Sequence, residues 1–210
     1  MTIPYRDASA ALAHAYGGVG DLAAALTPDD LLAPSRCRGW LVADVLVHLL
    51  DDARRALVAL HTPAPGPADT DHVDYWRSFP PGPAGDDVWP TRRSAAAFPD
   101  GGTIAAFWLE TAPAAVHAAA GSDPAGLVRT QGHVLTVPDF LATLVLEAVV
   151  HHLDMTVHLP SAPPPHPDAV ALAARSLSGL LGEDGPPSER FLLEGAGRLP
   201  SPDPRLPLLG

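Results

Sequence analysis

The sequence predicts an all-α protein: a four-helix bundle with one long crossover between its second and third helices and a small C-terminal extension. Three observations carry this. Apolar residues recur at three- and four-residue spacing in four long segments, and proline and glycine clusters separate those segments. Between the second and third lies a proline-rich stretch, residues 62–101, that still contains Tyr75, Trp76, Phe79, Trp89 and Phe98. Bundles with one long connection are built this way. The 210 residues suffice for one well-packed body over 1–160, with a short helix and tail, 161–210, laid on it.

The first helix is expected over roughly 8–25, where Leu12, Ala15, Val19 and Leu22 form a stripe. Gly17, Gly18 and Gly20 weaken it, each by about 1 kcal/mol relative to alanine, and Thr27-Pro28-Asp29-Asp30 ends it. The second runs from near Trp40 to about Leu60, with Leu41, Val45, His48, Leu49 and Asp52 on one face. Pro63, Pro65 and Pro67 stop it. The eight prolines of 62–101 argue against regular structure, but disordered linkers are poor in aromatics. An ordered crossover with one helical turn near 73–78 is expected, of the kind that serves as a lid or binding loop. A third helix spans about 103–120, with Thr103 as N-cap and Gly121 as stop. A short hairpin is expected around Gly132, and then Thr136-Val137-Pro138-Asp139 opens a fourth helix reaching about His158. One more helix is expected from Pro167 to Leu181, before a proline-rich tail.

Composition excludes several classes of function. The net charge is −11, from 24 acidic and 13 basic residues. That balance, with no local basic stripe, repels phosphate backbones and argues against nucleic-acid binding. No apolar run is long enough to span a membrane, and the N-terminus has no basic patch followed by an apolar core, so no signal peptide is visible. The single cysteine, Cys37, allows no intramolecular disulfide and suits a reducing compartment; a cytoplasmic protein, monomer or homodimer, is expected. The chain has no lysine and no asparagine, and its only isoleucines are Ile3 and Ile104. That is the imprint of a GC-rich genome, such as an actinobacterial one.

The chemistry is concentrated in Leu146-Glu147-Ala148-Val149-Val150-His151-His152-Leu153-Asp154. Glu147 and His151, four apart, share one helix face. A carboxylate in such apolar company must find a hydrogen-bond partner, become neutral or bind a cation. Glutamate and histidine at helical spacing, projecting into a bundle core, are a recurrent metal-binding device. His48, within Val45-Leu46-Val47-His48-Leu49-Leu50, is the candidate third ligand. Two histidines and a glutamate leave a tetrahedral zinc one open position, the catalytic rather than structural arrangement. Asp44, Asp52 and Asp154 are candidate carboxylates behind the ligands. The alternative is that Glu147 and His151 form a hydrogen-bonded pair while His48 simply packs. His152 points about a hundred degrees away from His151. Cys37 precedes a helix N-terminus, and a structural role is expected for it, as packing is for Trp40. Arg198 and Trp76 are candidate substrate contacts, with Arg92 and Arg93 further arginines able to meet an acidic group.

Ser35-Arg36-Cys37-Arg38-Gly39-Trp40, the following apolar run and His48-Leu49 resemble the Arg-x-x-Gly-Trp and His-Leu signature of the mycothiol-dependent maleylpyruvate isomerase family, a branch of the DinB-like metalloenzymes. Glu147 to Asp154 resembles that family's Glu-x-x-x-His-x-x-Asp segment. Gly195-Ala196-Gly197-Arg198 is similar to the Thr-Gly-Arg tail of some members, with Ala196 in place of threonine. The resemblance implies a divalent metal, usually zinc, on His48, Glu147 and His151. It also implies mycothiol as thiol cosubstrate and a small electrophilic substrate for isomerisation or S-transfer. Only about fifty residues follow the bundle, which argues against maleylpyruvate itself as substrate. The rival expectation is a non-enzymatic member that binds metal or a small ligand in a regulatory or interaction role.

Overall fold

A computed structural model describes residues 3–81 and 88–209; the crossover expected over 62–101 therefore lies in part, at residues 82–87, outside the described residues. Among the described residues there are eight α-helices and one two-stranded antiparallel sheet. The helices are α1 (Tyr5–Ala25), α2 (Pro28–Leu31), α3 (Val42–His61), α4 (Val88–Ala96), α5 (Gly101–Ala120), α6 (Val137–Met155), α7 (Pro167–Gly179) and α8 (Glu189–Gly195); the strands are β1 (Leu127–Thr130) and β2 (His133–Thr136). None of the helices is long and apolar enough to cross a membrane.

Four long helices form a closed circuit of contacts: α1 packs on α5 and α6, and α3 packs on the same two. α6 is its most buried member, with Phe140, Leu141, Val145 and Ala148 fully buried. α7 rests on α6 and α1, and α8 on α7 and α6. One continuous core thus joins Ile3 and Leu12 to Leu177 and Leu192. An exposed helix face is largely optional, whereas α6 contacts neighbours all round, which explains its near-continuous apolar sequence.

Local signals fix the ends. Thr136 Oγ1 accepts the Asp139 N–H and Pro138 sits in the first turn, so α6 starts where the sequence indicates. The hairpin turns through Gln131 and Gly132, both with positive φ (46° and 87°), the geometry a two-residue β-turn requires. Several expectations need correction. α1 runs through its three glycines as expected but begins earlier, at Tyr5; packing of Leu12, Tyr16 and Val19 outweighs the weak propensity of the glycines. Asp100 rather than Thr103 caps α5, its carboxylate accepting the Thr103 N–H at 2.7 Å. α6 stops at Met155, before His158. α3 begins at Val42, leaving Trp40 in the loop ahead of it.

The crossover contains more structure than its prolines suggested. A single 3₁₀ turn, Asp74–Ser78, stands where a helical turn was expected, and α4 is an additional helix. Its first half is pinned to the hairpin by Ala64 N–H to Leu127 O and Asp69 N–H to Val134 O, both 2.9 Å. Trp76 is buried against Tyr75 and Phe79.

The deep burial of α6 predicts a large packing cost there. Phe140→Ala is expected to lower unfolding free energy by about 3–5 kcal/mol, read by denaturant titration. A loss below about 1 kcal/mol would show that the site collapses around the truncation.

Candidate metal centre

α3 and α6 bring His48, Glu147 and His151 together. Glu147 Oε2 lies 3.1 Å from His151 Nε2 and 3.4 Å from His48 Nε2. All three candidate ligand atoms fall within 4.8 Å of one another. A tetrahedron built on zinc–ligand distances of about 2.0–2.1 Å has edges of about 3.4 Å, so the spacing fits a metal with little movement. The His48 and Glu147 side chains remain 28% and 24% exposed, whereas that of His151 is 8% exposed. The cluster therefore has a solvent side, through which a ligand can enter. Trp40 covers part of it, its ring 5.3 Å from that of His48 and 6.2 Å from that of His151.

Electrostatics follow from this geometry. Burial alone would raise the Glu147 carboxyl, but hydrogen bonds from His151 and His48 outweigh it and hold the group well below the usual carboxylate range. Burial would lower His151; the adjacent Cys37 sulfur and hydrogen bonds to Asp154 and Glu147 push it well above its ordinary value instead. A divalent cation would replace the protons that the two imidazoles share with Glu147.

The three aspartates have three different positions. Asp154 is fully buried, and its Oδ2 accepts from His151 Nδ1 at 2.9 Å. That bond turns Nε2 toward Glu147, as in carboxylate–histidine–metal triads. Asp52 Oδ1 accepts from Arg55 Nη2 at 2.8 Å, while the buried Oδ2 has no hydrogen-bond partner among the described residues and lies 4.0 Å from His48 Nε2. Burial, then repulsion from Glu147, raises its carboxyl. Asp44, expected among the carboxylates behind the ligands, accepts the Leu41 N–H at 2.8 Å instead and closes the first turn of α3. It sits one turn before His48, at the helix start, where an unbonded N–H needs an acceptor.

Neither candidate substrate contact is free for that task. Arg198 is bonded to Asp154, Cys37 and the Ala196 carbonyl. Trp76 is 5% exposed and belongs to the aromatic packing of the crossover. Arg92 faces Asp44 at 3.9 Å. His152 is buried, with Nε2 bonded to the Pro163 carbonyl at 2.9 Å, and pins the hinge after α6. Sequence reasoning missed Arg55, Tyr16 and Tyr75. Arg55 follows His48 by seven residues and so shares its helix stripe, a signal that was present. Tyr16 comes from α1, and burial followed by the Asp52 charge raises its hydroxyl well above the ordinary value. Tyr75 comes from the crossover; burial pushes it up to about 12, and it donates to Gln131 Oε1 at 2.8 Å. No spacing rule connects those two to the site.

Among the described residues two other clusters could hold a metal ion, Cys37–His151–Asp154 and His14–His166–Asp168. Arg198 places a guanidinium on the first, which opposes a cation. In the second, His166 Nδ1 already accepts the Asp168 N–H at 3.2 Å and Asp168 is highly exposed. The His48, Glu147 and His151 group alone combines preformed spacing, an ionised carboxylate and an open side.

Fold and site together define a class: mostly helical proteins that join histidines and a glutamate from two core helices at one accessible point. The family model for the mycothiol maleylpyruvate isomerase N-terminal domain matches residues 12–156. The chain belongs to that family. The match takes in His48, Glu147, His151 and Asp154 and ends before α7, α8 and Arg198. No curated protein and no solved structure matches the chain.

In the metal-free protein the raised pKa of His151 contributes stability that is fully present below its unfolded value, about 6.5. That contribution is lost as pH rises through the higher folded value. The depressed Glu147 contributes stability present above about 4.3 and lost as pH falls through its lower folded value. The melting temperature of metal-free protein is expected to decline on the alkaline side, and His151→Gln to flatten that decline. Identical alkaline limbs would remove a charged His151 from this account.

Proposed function

We propose that this chain is a metal-dependent, mycothiol-using enzyme, a thiol S-transferase or isomerase acting on a small electrophile. We take its scaffold to be a DinB-like four-helix bundle of α1, α3, α5 and α6, residues 1–160, with 161–210 as a packed extension. The observation that carries the reading is the meeting of His48, Glu147 and His151, ligand atoms within 4.8 Å of one another, in a chain of the mycothiol maleylpyruvate isomerase family.

Two nitrogens and one carboxylate suit zinc, and three protein ligands leave a further position for an incoming group. When bound, zinc would accept the thiol sulfur there and favour the thiolate, the nucleophilic form. The remaining work belongs to the chain. Glu147 brings a negative charge that offsets the cation, and its two imidazole neighbours hold it ionised. Asp154 fixes the His151 ring through Nδ1. Trp40 sets its ring 5.3 Å from that of His48 and 6.2 Å from that of His151, an apolar neighbour that lowers the local dielectric around the ligands. Asp52 Oδ2, 4.0 Å from His48 Nε2, brings a second carboxylate oxygen close to that imidazole. An acidic surface, at net charge −11, agrees with small-molecule rather than nucleic-acid partners.

Purified protein is expected to bind about one equivalent of zinc, and His48→Ala and Glu147→Ala are expected to lose it. Equal metal content in all three proteins would sink the site. Binding should release protons, read by calorimetry in buffers of different ionisation enthalpy. Metal-loaded protein should then show a thermal shift with mycothiol and either consume it with an electrophile that bears a leaving group, such as a haloarene, or isomerise an unsaturated acid in its presence without consuming it. A thermal shift without turnover would favour a binding protein over an enzyme.

A further inference from the structure

Behind the candidate ligands, three segments distant in sequence meet on one carboxylate. Asp154 is fully buried near the end of α6. Its Oδ2 accepts from His151 Nδ1 and from the Cys37 thiol, each at 2.9 Å. Arg198 Nε donates to both oxygens, at 3.2 Å to Oδ1 and 3.3 Å to Oδ2, and is the sole donor found on Oδ1 among the described residues. The guanidinium is fixed at its other end: Nη1 donates to the Ala196 carbonyl at 2.8 Å, and Nη2 lies 3.4 Å from Cys37 Sγ. Arg198 belongs to the segment after α8, which turns back at Gly197 with φ +70°. There the Arg198 N–H donates to Leu193 O, and those of Leu208 and Leu209 donate to Gly195 O.

We infer that Arg198 is a positioning residue for the metal centre, acting on His151 through Asp154, so that metal binding and docking of residues 196–209 are linked. The inference rests on the metal site proposed above. A carboxylate held at one oxygen can rotate; held at both, its plane is set, and so is the plane of the imidazole bonded to it. Arg198 supplies the second hold. It also supplies the cation that a fully buried carboxylate requires. Removing it leaves Asp154 to turn toward other donors, and His151 Nε2 loses the direction that brings it 3.1 Å from Glu147. Outer partners of metal-ligating histidines are worth about 10–100-fold in metal affinity. Linkage is reciprocal: whatever factor the docked segment adds to metal affinity, metal adds to docking.

The test uses the full chain with zinc as the probe and a chromophoric chelator as competitor. Arg198→Met is expected to weaken zinc binding about 10–100-fold, Arg198→Lys less, and Asp154→Asn about as much as Arg198→Met. Because Arg198 acts through Asp154, the Arg198→Met/Asp154→Asn double variant should be no weaker than Asp154→Asn alone. Zinc should slow hydrogen exchange of residues 196–209 in the wild type and not in Arg198→Met. Arg205→Gln, which breaks only the contacts of Arg205 with Glu183 and Asp203 in the same segment, should keep wild-type affinity; a tenfold loss there would deny Arg198 a particular role. Wild-type affinity in Arg198→Met, additive losses in the double variant, or zinc-insensitive exchange of 196–209 would each overturn the inference. A wild-type protein that binds no zinc would overturn the metal reading, and this one with it. Circular dichroism melts show whether Arg198→Met folds; if it does not, Arg198→Lys and Asp154→Asn carry the comparison.

Discussion

The arrangement depends on one constraint: a carboxylate carried into a helix core must be compensated there. Glu147 sits on α6, the helix with the least solvent contact, and is compensated by His151 on its own helix and His48 on α3. Glu147 keeps 24% of its side chain exposed, so leaving it unpaired costs less than a fully buried charge would, yet still enough to favour the two imidazoles beside it. Meeting that need sets the two imidazoles, one from α3 and one from α6, beside the same carboxylate oxygen.

The two nitrogens of His151 divide the centre into a front and a back. Nε2 faces Glu147, His48 and the solvent side, where an exchangeable ligand could enter. Nδ1 faces Asp154, Cys37 and Arg198, where nothing is exchanged and every group is bonded. A ring whose rear nitrogen is held by a buried carboxylate keeps one tautomer and one direction. The front can therefore be open without being loose. Asp52 marks the boundary, with one oxygen bonded to Arg55 and the other, beside His48, without a partner among the described residues.

Much of this cluster's geometry was legible in the sequence, and the reasons are local. Glu147 and His151 are one helical turn apart, so the helix alone brings them together. His48 could be chosen because it stood in an apolar run with no other occupation. Asp154, three residues beyond His151, follows from the same geometry. Asp44 misled because the spacing that links it to His48 also places it at a helix start, where the backbone N–H of Leu41 competes for it. Arg198 misled because an arginine in a tail resembles a free arginine until the partner it meets is known.

By itself the sequence determined the helical periods, the hairpin at Gly132, the caps that open α6 and the three-residue cluster on α3 and α6. These depend on contacts within a few residues, or on residue types that allow one environment. Tertiary structure decided the rest: that the crossover folds against the hairpin, and that Tyr16, Cys37 and Arg198 belong to the interior. Each of those outcomes joins residues tens to more than a hundred positions apart. Only the packing of whole elements determines such pairings, because no periodicity or short-range spacing records them.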